Sequence, residues 1–163
     1  MTHATATTLK ESSTEPNTAN TDVEKTLFTS RQLALIAGAS YWLIFFAAIF
    51  ANFMALEALK SEPISTVQQH GDLVWAGIIG FAVTVVFDLV VAWALFRLYQ
   101  KHSLSRLSAV FRVIHALLMG AAVFALPPVL AMDSAENILT QVECFNQLWL
   151  VGLFFFGIHL LLL

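Results

Sequence analysis

The chain has 163 residues, 58% of them hydrophobic and only 12% charged, with a mean hydropathy of +0.77. Soluble domains carry charge at about 25% of positions, so half that content points to a membrane protein, and the long unbroken apolar runs exclude a β-barrel, whose strands are ~10-residue alternating stretches. The formal net charge of −3 says little about partners beyond giving no reason to expect nucleic acid.

Residues 1–30 form a tail rich in Thr, Ser, Asn and Glu. A segment so poor in apolar residues cannot offset its ordering entropy and is expected to be disordered. It is not a secretory signal, because the apolar run that follows starts late and is too long. Four stretches then reach the ~20 apolar residues a spanning helix needs: about 33–56, 73–96, 104–126 and 145–163. The expected class is therefore all-α, a polytopic transmembrane bundle of four spans.

In the first span Ala34, Gly38, Tyr41, Ala48 and Asn52 are the best candidates for a bundle-facing stripe. The connection 61–72 is short, and Pro63 suits a turn or the first position of a brief helix. The second span carries Gly77, Gly80, Thr84, Asp88 and Ala92 at steps of three or four, a stripe of small and polar side chains that should face other helices. A loop of a few residues holding Arg97, Lys101 and Arg106 leads to the third span. There Ser108, Arg112, His115, Met119 and Ala122 make the matching stripe, and Pro127-Pro128 ends or kinks the helix.

The stretch 134–144 reads as an amphipathic helical segment on the outer surface. Asp133 and Glu136 resemble a capping box for it, with Ile138, Leu139, Val142 and Phe145 opposite Gln141 and Glu143. Span four follows, with Gly152 and His159 one heptad apart. Lys10, Lys25 and Arg31 precede span one, whereas the opposite side holds Glu57, Glu62, Asp72, Asp133, Glu136 and Glu143 against Lys60 alone. The positive-inside rule then places the N-terminus in the cytoplasm. Trp75, Trp93 and Tyr99 fall near span ends, as interfacial aromatics do. Cys144 is the only cysteine, so no intramolecular disulfide and no CxxC motif exists.

The ionisable residues within the spans are the candidate site. Spans two and three form an antiparallel hairpin with its midpoint between Lys101 and His102, so Asp88 and His115 lie at nearly equal depth and Arg112 one turn away. His159 falls at a comparable level of span four. A lone Asp or Arg at mid-helix costs ~2.5–3.5 kcal/mol on insertion scales, so Asp88 and Arg112 are expected to pair, with His115 or His159 donating to the carboxylate. The favoured reading is a clamp that fixes helix rotation and register. A proton relay or small transporter using Asp88, Arg112, His115 and His159 is the alternative, and His115 with His159 as axial haem ligands is another. No GxSxG or HExxH occurs, so no catalytic residue or metal site is assigned and an enzyme is not expected.

The stretches LALIAGASYWLIFFAAIFA, FDLVVAWALFRLY, AVFRVIHALLMG and VGLFFFGIHLLLL follow one another in that order. Together they resemble the bacterial membrane family called domain of unknown function 4386, over about residues 31–163. The resemblance implies an integral protein of the bacterial inner membrane, usually with six helices, and gives no activity, substrate or cofactor. Members continue past the histidine-containing fourth span with a basic loop and two further helices. This chain is thus expected to be a shortened or truncated member, in contact with lipid and open to self-association or to other membrane proteins.

Overall fold

A computed structural model describes residues 28–163. The tail expected over 1–30 lies, up to residue 27, outside the described residues, while Ser30 already begins the first helix. Thr29 caps it: its hydroxyl accepts the Gln32 N–H at 3.3 Å, and its own N–H donates to Gln32 Oε1 at 2.9 Å. That reciprocal pair satisfies donors the first helical turn leaves free.

Every regular element among the described residues is helical, with no strand. Helix α1 (Ser30–Phe50) runs without a break through a π-helical turn, Ala51–Leu56, into α2 (Glu57–Ser61). A short α3 (Pro63–Gln69), with Pro63 in its first turn, connects to α4 (Gly71–Leu98). Helix α5 (Ser105–Ala125) is followed by a 3₁₀ turn at Pro127–Ala131, and α6 (Ala135–Leu162) closes the bundle. The four long helices, Ser30–Ser61, Gly71–Leu98, Ser105–Ala131 and Ala135–Leu162, are each apolar and long enough to cross a membrane. At 1.5 Å per residue, a 28-residue helix such as α4 or α6 measures about 42 Å, longer than a ~30 Å hydrocarbon core, so its ends reach the interfaces.

The amphipathic segment expected at 134–144 is not separate from the fourth span. It is the first ten residues of α6, in one unbroken helix. The capping box expected from Asp133 and Glu136 does not form, because the N-cap is Ser134 and no side chain bonds there. Within this segment Ile138, Val142 and Phe145 are buried, but Leu139 is exposed and Gln141 turns inward. Gln141 Nε2 donates to the Ala125 carbonyl at 2.6 Å. The reason lies in Pro127-Pro128: the helix cannot continue through them, so carbonyls in the last turn of α5 lack their usual partners.

Helix α4 lies between α1 and α5, and α6 packs along α5. The α1–α4 contact is made by small residues. A Cβ placed on Gly77 would overlap the Cβ of Ala55, and one on Gly80 would sit 3.2 Å from Ala51 Cβ and 3.3 Å from the Ala47 carbonyl. The first span's packing face is therefore Leu33, Ala37, Ser40, Ala51 and Ala55, all buried, rather than the expected Ala34 and Gly38, which are exposed. Toward the α3 end the core is filled by Leu59, Val74, Phe81, Val129, Ile138 and Phe145. Phe81 contacts both Phe145 and Trp149, with ring centroids 4.8 and 5.0 Å apart. Trp42, Phe45, Phe46, Phe53 and Phe124 face outward, the surface a lipid bilayer would cover.

Candidate functional site, a buried polar layer

Helices α5 and α6 run antiparallel in a register that fixes two polar contacts. His115 lies opposite Gly152, and Ser108 lies opposite His159, each pair seven residues from the other along both helices. Two heptad steps in opposite directions keep both contacts on one seam. The two helices pack tightly at Gly152: a Cβ there would lie 3.3 Å from Met119 Sδ and 3.5 Å from His115 Nδ1. The missing side chain lets the imidazole reach the Gly152 carbonyl, with Nδ1 donating at 2.8 Å.

Asp88, from α4, completes the layer. Arg112 Nη2 donates to Asp88 Oδ1 at 2.5 Å, and His115 Nε2 lies 3.3 Å from Asp88 Oδ2. Arg112 is fully buried. Its Nη1 donates to the hydroxyl of Tyr41 on α1 at 3.0 Å. Its guanidinium carbon sits 5.1 Å from the centroid of the Tyr41 ring and 4.8 Å from that of Phe156 on α6. Arg112, on α5, thus touches each of the other three long helices. A cation held between two aromatic faces keeps part of its electrostatic stabilisation without water.

His159 stands apart from this cluster. Its Nδ1 lies 3.0 Å from the Ser108 carbonyl and 2.9 Å from the Ser108 hydroxyl, which itself donates to the His159 carbonyl at 3.2 Å. A carbonyl only accepts, so the proton belongs on Nδ1. The expectation of one level for all four ionisable residues is corrected accordingly: His159 sits seven residues beyond Gly152 on α6, about 10 Å along the helix from His115's level. The sequence estimate counted depth from Phe145 as the start of a span, whereas the helix begins ten residues earlier.

Of the small residues expected to carry packing, Gly77, Gly80 and Gly152 make the close contacts described. Thr84 is buried and donates to the Phe81 carbonyl of its own helix at 2.7 Å. Tyr41 and Ser108 take polar partners inside the bundle, and Asn52 Nδ2 donates to the Ala48 carbonyl at 2.9 Å. Phe156 escaped the sequence reading. It sits in a run of three phenylalanines, and only its spacing of four residues from Gly152 put it on the His115 face.

A haem between His115 and His159 does not fit this geometry. Both His115 nitrogens face protein partners, and the ring of Phe156 stands 5.2 Å from one imidazole and 6.0 Å from the other. The crevice beside His159, lined by Ala92, Phe96, Ser105, Ser108 and Leu163, has no room even for a water molecule. A larger cavity of about 600 Å³ is an open groove at the other end of the bundle, between Lys60 and the Leu139–Gln147 stretch of α6. No cluster of metal-ligating side chains occurs among the described residues. Among the described residues, two buried side-chain polar atoms keep no partner, Arg112 Nε and His159 Nε2.

Compared with known families, residues 36–163 match the family described as Domain of unknown function (DUF4386), and the chain belongs to it. No curated protein and no solved structure matches the chain.

Proposed function

We propose that this DUF4386 membrane protein is a non-enzymatic component of a cytoplasmic membrane, with its N-terminus on the cytoplasmic side. Its Asp88–Arg112–His115–Tyr41 layer serves as an inter-helix clamp. The observation that supports the clamp is how the polar groups are used. The carboxylate, one guanidinium face and both imidazole nitrogens are each turned to a group on another helix, and the wide groove is at the far end from them. Buried polar groups with few free valences fix rotation and register among helices that lipid alone would let slide. The basic residues Arg97, Lys101 and Arg106 on the 99–104 turn side support the orientation.

The rival is a transporter or proton relay built on the same residues. The test is proton flux into proteoliposomes carrying a pH-sensitive dye, with and without an imposed potential. The clamp reading expects the wild type and Asp88→Asn to leak equally. A flux present in the wild type and lost in Asp88→Asn overturns it.

A further inference from the structure

The groove between α2 and α6 is lined by two opposite charges that do not meet. Lys60 comes from α2, and Glu143, Asn146 and Gln147 come from α6, around a space of about 600 Å³. That is within the ~300–1,000 Å³ of ordinary small-molecule sites. Among the described residues neither Lys60 nor Glu143 joins an ion pair. The one contact to the carboxylate is long, Gln147 Nε2 donating to Glu143 Oε1 at 3.4 Å.

Both walls stand where hydrocarbon gives way to headgroups. Lys60 lies in the last turn of α2, after the long apolar run of the first span. Glu143, Asn146 and Gln147 come just before 148–163, a stretch whose only ionisable side chain is His159. Charged side chains at the ends of such runs sit at the interface, not in the bilayer core. The same side of α6 then continues as an apolar track. Leu150, Phe154 and Leu161 follow Gln147 at helical spacing, and all three are strongly exposed. A molecule held here meets opposite charges at one end and an open apolar surface at the other.

We propose that this groove binds a phospholipid whose headgroup carries a primary amine. The Lys60 ammonium and the Asn146 amide N–H groups donate to the phosphate, and the Glu143 carboxylate accepts from the lipid ammonium. An acyl chain lies along Leu150 and Phe154. Phosphate and ammonium are joined by a short ethylene link in such a headgroup, so one molecule bridges the two charges that the fold leaves apart. A glycerol headgroup would satisfy Lys60 but bring no cation to Glu143. A trimethylated ammonium carries the charge but has no N–H to donate. The site is separate from the buried polar layer, and the proposal does not depend on the clamp reading.

The experiment is native mass spectrometry of the full chain released from micelles that hold equal amounts of phosphatidylethanolamine, phosphatidylcholine and phosphatidylglycerol with identical acyl chains. The expected result is bound phosphatidylethanolamine in about three- to fivefold excess over either competitor, the scale of one exposed ion pair. Glu143→Gln should abolish the excess over phosphatidylglycerol, and Lys60→Gln should weaken retention of both lipids. Both side chains are exposed, so each variant should keep the helical circular dichroism of the wild type. A chain that holds the three lipids equally, or prefers one of the other two, overturns the proposal. So does an excess that survives Glu143→Gln, or retention that Lys60→Gln leaves unchanged. Displacement of the lipid by an equal concentration of soluble phosphoethanolamine overturns it as well, because the apolar track would then contribute nothing.

Discussion

Replacing Asp88 with Ala asks how much of the bundle's stability depends on one buried charge having its partner. In the wild type the fully buried Arg112 is held by the carboxylate at 2.5 Å, the Tyr41 hydroxyl at 3.0 Å and two aromatic faces at about 5 Å. Only the first is lost in the variant. Removing one partner of a buried ion pair costs ~3–5 kcal/mol, because the other charge is left uncompensated. The surviving cation–π contacts favour the lower end, about 3 kcal/mol, or roughly two orders of magnitude in the folding equilibrium. A neutral interhelical hydrogen bond in a membrane averages only ~0.6 kcal/mol and reaches ~1.7, so the two cases separate clearly. The assay is unfolding of the detergent-solubilised protein by titration with a denaturing detergent, followed by helical circular dichroism. Adding Arg112→Leu to Asp88→Ala should restore roughly half of the loss, since no charge is then stranded. A single-variant loss below about 1 kcal/mol, or a double variant no more stable than the single, would refute the reasoning.

The glycines offer a graded test in the same assay. Gly77→Ala should destabilise by about 1–3 kcal/mol, because its Cβ has nowhere to go beside Ala55, whereas Gly38→Ala meets nothing within 4 Å and should be neutral or slightly stabilising. Gln141→Leu should cost about 1 kcal/mol by stranding the Ala125 carbonyl; equal effects from Gln141→Leu and the exposed Glu143→Gln would show that this contact contributes nothing. Cys144, exposed and the only cysteine in the chain, reports orientation directly. A membrane-impermeant maleimide should label it in intact cells from outside, and labelling only after lysis would reverse the proposed topology.

Four long helices were legible because lipid demands continuous apolar length, a signal each span carries independently of its neighbours. The meeting of Asp88 with Arg112 and His115 was legible as well, since α4 and α5 are joined by a short turn and hairpin counting fixes their relative depth. Counting from Phe145 misplaces His159, because its depth depends on where α6 begins and the ten amphipathic residues that open the helix hide that point. The Tyr41 hydrogen bond and the Phe156 contact are long-range choices among several aromatic residues on apolar helices. The face of the first span was misread for a related reason: Gly38 looked like a packing glycine, but close approach to α4 is made by alanines farther along.

Those alanines lead back to the π-helical turn at Ala51–Leu56, where the Glu57 N–H reaches back five residues to the Asn52 carbonyl. In a regular helix, residues spaced by four drift about 40° per step around the axis, so Ala47, Ala51 and Ala55 would spread over about 80° of the side facing α4. One wide turn takes back that drift. It works as a phase adjuster, letting the half of the span before it address the Arg112 layer while the half after it turns Leu56 and Leu59 into the core beneath α6. Because one wide turn absorbs about one extra residue, deleting a single residue there should restore an ordinary helix while keeping Leu56 and Leu59 on nearly the same face.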